Sequence, residues 1–103
     1  MKIDWLTLAL LDLGQVREFI WQENPQAAER VCSRIQAVIE HLARLPEMGR
    51  EGRRPGTREL ILPDLPFRIV YRVHGDICYI SYVVRATRDL SSLLSLEDLE
   101  SAD

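Results

Sequence analysis

Residues 24–45 carry the pattern that most limits how this chain can fold. Ala28, Val31, Ile35, Val38, Leu42 and Leu45 recur at intervals of three and four, with Ile39 alongside. An α-helix gathers such positions into one apolar stripe. Asn24–Pro25 opens the stretch, since Asn offers a capping side chain and Pro is preset for a first helical turn. Pro46 and Gly49 close it. Beyond them the period falls to two. In the run 67–73, Phe67, Ile69, Tyr71 and Val73 share one face of a strand, and Arg68, Val70 and Arg72 share the other. An amphipathic helix followed by alternating strands buries both apolar faces by laying helix on sheet.

The remaining segments fit that plan. Ile3–Asp4–Trp5 suits a short strand, and from Leu8 to near Glu23 the positions Ala9, Leu13, Val16 and Ile20 mark a first helix. Leu8, Leu10 and Leu11 widen its apolar face beyond one core contact, which leaves open a buried helix or an exposed docking surface. Only a few residues separate the two helices, so an antiparallel αα-hairpin is expected. Residues 46–57, with Gly49, Gly52, Pro55 and Gly56, read as a loop. Strands follow over 58–62, 67–73 and 77–84, joined by turns at Pro63–Asp64–Leu65–Pro66 and His74–Gly75–Asp76. The expected fold class is α+β: two layers in the order β-α-α-β-β-β, a helical hairpin packed on a small antiparallel sheet. The sheet face that holds Val70 between two arginines is then partly open.

Charge is distributed unevenly. Net charge is −3, but residues 44–89 hold nine basic and six acidic groups, while the last 14 residues hold four acids and no base. The basic excess is local and too small for a dedicated duplex-binding domain. Cys32 and Cys78 lack a Cys-x-x-Cys spacing and read as buried small hydrophobes, and His41 and His74 stand alone, so neither a metal nor another cofactor is expected. No apolar run approaches the ~20 residues of a membrane span. The first residues carry an early acid and no cleavage site, so a cytoplasmic protein is expected, with no membrane partner.

The ordered set Leu45–Pro46–Glu47–Met48–Gly49–Arg50, Pro55–Gly56–Thr57–Arg58–Glu59–Leu60 and Phe67–Arg68–Ile69–Val70–Tyr71–Arg72–Val73 resembles the RelE/ParE toxin superfamily of type II toxin–antitoxin modules. Asn24–Pro25 with Ala27–Ala28, and Arg88–Asp89, add to the likeness. The resemblance spans about residues 3–90. It implies a toxin domain over 1–90 and an acidic, leucine-containing tail over 91–103. It further implies growth inhibition, a role in plasmid stabilization, and neutralisation by a cognate antitoxin, of ribbon-helix-helix type, in a toxin–antitoxin hetero-oligomer. Two departures stand out: Leu6 and Thr7 occupy positions where the family has Ser or Thr and then Pro, and the tail is unusually acidic. One reading of the tail folds it over the basic face.

The superfamily holds two chemistries, ribosome-dependent mRNA cleavage (RelE-like) and inhibition of DNA gyrase (ParE-like). Cleavage by a 2′-hydroxyl needs proton donors and acceptors as well as cations. Cations are plentiful: Arg50, Arg53, Arg54, Arg58, Arg68, Arg72, Arg85 and Arg88. Proton carriers are scarce, because Arg85 and Leu90 stand where nuclease relatives carry His or an aromatic residue, and Tyr71, Tyr79 and Tyr82 read as packing residues. Glu47, Glu51, Glu59 and Asp89 could serve as bases in principle, but a solvated carboxylate is poorly matched to proton transfer at neutral pH. The expected activity is therefore ParE-like docking on gyrase, without enzymatic turnover. Arg50, Arg53, Arg54, Arg68, Arg72, Arg85 and Arg88 are the expected partner contacts. The alternatives are an mRNA endonuclease acting with the ribosome, using Arg53, Arg58, Arg85 and Arg88, and a degenerate binding module. In the last case Arg50–Glu51 and Arg58–Glu59 are plain surface ion pairs.

Overall fold

The computed structural model describes residues 1–62 and 64–85. Strand β1 (Lys2–Trp5) leads into helices α1 (Thr7–Trp21) and α2 (Pro25–Arg44), and then strands β2 (Arg50–Glu51), β3 (Arg58–Ile61), β4 (Phe67–His74) and β5 (Ile77–Arg85). Both helices lie on one face of a five-stranded sheet in the order β1-β5-β4-β3-β2. This is the expected two-layer α+β arrangement, with two refinements. First, the sheet is mixed: β1 runs parallel to β5, with Ile3 opposite Cys78 and Trp5 opposite Ile80. A pair so distant in sequence has no hairpin turn to set its direction, so the alternation within each strand could not reveal it. Second, the 46–57 connector holds β2, whose two residues pair with Arg58 and Glu59 on the sheet edge.

The core follows the two periodicities. Ile35, Val38, Ile39 and Leu42 of α2 meet Phe67, Ile69 and Tyr71 of β4 and Cys78, Ile80 and Val83 of β5. Both cysteines are buried and free, and burial pushes their thiols upward in pKa. Asn24 caps α2 by accepting a hydrogen bond from the Ala27 amide at 3.1 Å, and His41 and Arg44 sit in its last turn, where the helix dipole favours positive charge. Helix α1 is different: its N-cap is Leu6, which makes no side-chain cap bond. Only Ala9 of α1 is fully buried, and Leu8, Leu10, Leu11, Phe19 and Trp21 are exposed.

Strand β5 contains a bulge. Val70 faces Tyr82 but Tyr71 faces Ile80, so Ser81 is the extra residue. Without it the side-chain alternation would carry Tyr82 into the core after Cys78 and Ile80. With it Val83 turns inward instead, and Tyr82 lines the opposite face beside Val70. The two-residue turn after β4 has Gly75 at φ +60° followed by Asp76, the arrangement in which glycine is favoured at the first turn position.

Candidate docking cleft

The sheet face turned away from the helices carries a cleft of about 410 Å³. Val70 and Tyr82 lie in its wall, Leu6 and Leu8 line it from the start of α1, and Arg53, Arg54 and Arg72 bring it positive charge. All three arginines are exposed. Arg72 Nη1 donates to the Pro55 carbonyl at 3.3 Å, which ties β4 to the connector carrying Arg53 and Arg54. The connector is closed by Thr57, whose hydroxyl donates to the Arg54 carbonyl at 2.6 Å, while the Gly52 amide donates to the Thr57 carbonyl at 2.8 Å. Planar guanidinium groups held this way suit carboxylate or phosphate oxygens.

Beneath the rim lies Glu59, 5% exposed, whose Oε1 accepts from Arg68 Nη1 at 3.1 Å and whose Oε2 accepts from the Arg53 amide at 3.2 Å. Arg50 Nη2 stands 3.9 Å from the same carboxylate. Adjacent strand residues alternate faces, so Glu59 pairs across the sheet and not with Arg58, its chain neighbour. Arg58 instead donates from Nη1 to the Gly49 carbonyl at 2.8 Å. Arg68 occupies the expected sheet face but is itself only 5% exposed. It is a buried support for the rim. Removing one member of such a buried pair typically costs about 3–5 kcal/mol, because the other charge is left uncompensated.

The remaining arginines of the expected set lie elsewhere. Arg50 is exposed on the edge strand β2. Arg85 lies 5.4 Å over the Phe19 ring of α1, on the helix side of the sheet, beside a second hollow lined by Asp12, Val16, Leu65 and Val83. Arg88, with Asp89 and the 91–103 tail, lies outside the described residues. The structure therefore gathers Arg53, Arg54 and Arg72 at one cleft, with Arg68 under it, and separates Arg58 and Arg85 from them. Leu6, Thr57, Glu59, Ser81 and Tyr82 also line the cleft. Sequence reading did not place them there, because Tyr82 arrives through the bulge and Leu6 through the parallel β1–β5 pairing.

Tyr71 belongs to the scaffold. Its hydroxyl donates to the Pro46 carbonyl at 2.6 Å and accepts from the Gly49 amide at 2.9 Å, and burial raises its pKa. Among the described residues, no group of His, Cys, Asp or Glu is arranged to hold a metal, and no helix is long and apolar enough to cross a membrane.

The family model of the ParE toxin of the type II toxin–antitoxin system parDE matches residues 3–90. The chain belongs to the ParE toxin family. Its ParE-like fold is close to that of the chromosomal ParDE toxin–antitoxin system from P. aeruginosa, with a TM-score of 0.77 and 26% identity over 84% of this chain and 97% of that one. In sequence it is 41% identical to the Y4kP protein of Sinorhizobium fredii over 76 residues, 74% of this chain and 79% of the relative. It is 31% identical to toxin RelE2 of Caulobacter vibrioides over 87 residues, 84% of this chain and 97% of the relative. As a member of this family the chain is a type II toxin of the RelE/ParE superfamily.

Proposed function

We propose that this ParE-family toxin acts by docking on DNA gyrase and inhibiting it, that a cognate antitoxin neutralises it, and that the open-face cleft is a docking site for acidic partner segments. The observation that carries this reading is the state of Glu59. It is the one carboxylate among the cleft's described lining residues, and it is held by Arg68 and the Arg53 amide. A carboxylate so engaged is a poor proton shuttle, whereas the exposed guanidinium rim over an apolar wall suits binding. The structural likeness to a ParDE system favours the same side. The proposal is tested with purified toxin in a gyrase supercoiling assay. Loss of supercoiling, or build-up of cleaved gyrase–DNA complexes, is expected and should be reversed by antitoxin; full supercoiling with excess toxin rejects gyrase as the target.

The 31% identity to toxin RelE2 motivates a second reading, ribosome-dependent mRNA cleavage. Translating ribosomes distinguish the two. Message cut in the ribosomal A site only when toxin is present would establish the nuclease.

A further inference from the structure

A second groove, of about 400 Å³, lies between α2 and the edge of β3, away from the open-face cleft. Arg34, His41 and Arg44 line it from one face of α2, since positions 34, 41 and 44 are spaced by two helical turns and one. Leu60 and Ile61 line it from β3, and Met48 from the connector. Ile61 is 49% exposed and Met48 38%. Arg34 is joined to Asp64, 2.8 Å from Nε to Oδ2, which leaves Arg44 and His41 with no ion pair among the described residues.

The adjoining strand edge is incomplete. β2 begins only at Arg50 and covers only Arg58 and Glu59. The Leu62 amide bonds inward to the Phe67 carbonyl at 3.0 Å, and the Thr57 carbonyl bonds outward to Gly52 at 2.8 Å. Backbone groups of successive strand residues point to opposite edges, so those of Ile61 share the outward direction of Thr57. There β2 has not yet begun, since in the antiparallel register its first residue, Arg50, stands opposite Glu59. An uncovered strand edge beside an apolar groove is a template for an added strand, and basic side chains along it select the charge of that strand.

We infer that this groove binds an extended acidic peptide segment of a protein partner, which pairs with β3 at Ile61, places apolar side chains against Met48 and Leu60, and sets carboxylates beside His41 and Arg44. Such a site is independent of the gyrase assignment and of the open-face cleft. It gives the toxin a second docking surface on a different face, so that two segments can bind at once.

The test uses the purified full chain and a fluorescent synthetic peptide that alternates isoleucine with glutamate. Saturable binding is expected, with about tenfold weaker affinity in Arg44→Glu. The open-face cleft also favours acidic segments, so both affinities are measured in an Arg53→Glu/Arg72→Glu background, where saturable binding should persist. Ile61→Pro removes only an outward N–H, which an edge strand tolerates, and should also weaken binding. Should that variant misfold, amide exchange in the wild-type chain answers the same question, because the Ile61 N–H must become protected when peptide is added. No saturable binding, equal binding of a peptide with glutamine for glutamate, loss that tracks Arg53 and Arg72, or unchanged exchange at Ile61 would each overturn the assignment.

Discussion

Tyr71 shows how much of this fold rests on single polar atoms in the core. Its side chain is fully buried, and its hydroxyl satisfies the Pro46 carbonyl and the Gly49 amide just after α2 ends. A Cβ on Gly49 would stand 2.6 Å from that hydroxyl oxygen, so the glycine leaves room for the contact. Tyr71→Phe keeps the ring and strands both backbone groups, and should cost about 1–3 kcal/mol in chemical denaturation. The pH dependence has a definite sign. Burial raises the phenol's pKa in the folded state, so the native chain holds its proton more tightly than the unfolded chain. Stability from this group is fully present below the unfolded value of about 10 and falls as pH rises through the folded value. Denaturation midpoints measured above that pH should decline less steeply in Tyr71→Phe than in the wild type; equal slopes would argue against a buried, proton-retaining phenol.

Among the elements, the two helices differ in how completely their sequences specify them. α2 was legible almost in full: Asn24 caps, Pro25 starts, Ala28, Ile35, Val38, Ile39 and Leu42 are buried and Pro46 follows the end, while Leu45, at the C-cap, is exposed. α1 carries apolar residues nearly all round, so periodicity placed Ala9, Leu13 and Val16 against the core but left open what the remaining leucines do. In the structure Leu8, Leu10 and Leu11 are exposed. The uncapped start at Leu6 makes a prediction at this scale. Leu6→Ser supplies the missing acceptor at an N-cap whose backbone is already extended, with φ −70° and ψ 157°, and should stabilise the fold by about 1 kcal/mol. Thermal melting should rise by roughly 4–8 °C for a domain of this size, and Leu6→Ala should not reproduce it. A Leu6→Ser melting point at or below that of Leu6→Ala would show that Leu6 contributes more by packing than a cap restores. The strands were legible in position but not in pairing. Phe67, Ile69 and Tyr71 face the core as their alternation requires, yet neither the Ser81 bulge nor the parallel β1 leaves a mark in local pattern. Both depend on contacts between distant segments, and both decide which side chains reach the cleft.

At the scale of the whole molecule, the arginines fall into separate groups. Arg53, Arg54 and Arg72 share a cleft on the open sheet face, Arg85 rests on Phe19 in the helical layer, and Arg34 and Arg44 flank the α2–β3 groove. Net charge describes none of this, since a protein of net −3 presents three basic surfaces. The grouping predicts which substitutions interact. Arg72 is tied to the connector at Pro55, between Arg54 and Thr57, so Arg53→Ala and Arg72→Ala alter one rim and should be coupled, by about 0.5–3 kcal/mol, in binding to an antitoxin that fills the cleft. Arg72→Ala and Arg85→Ala lie on opposite faces of the sheet and share no lining residue, so their effects should add to within about 0.3–0.5 kcal/mol. Both cycles are read from calorimetric titration of the antitoxin at low and moderate salt. Exposed rim charges act over a screened range, so the coupling of Arg53 with Arg72 should shrink as salt rises. Strong coupling between Arg72 and Arg85 would show instead that one partner segment bridges the two layers and that the cleft does not act as a separate site.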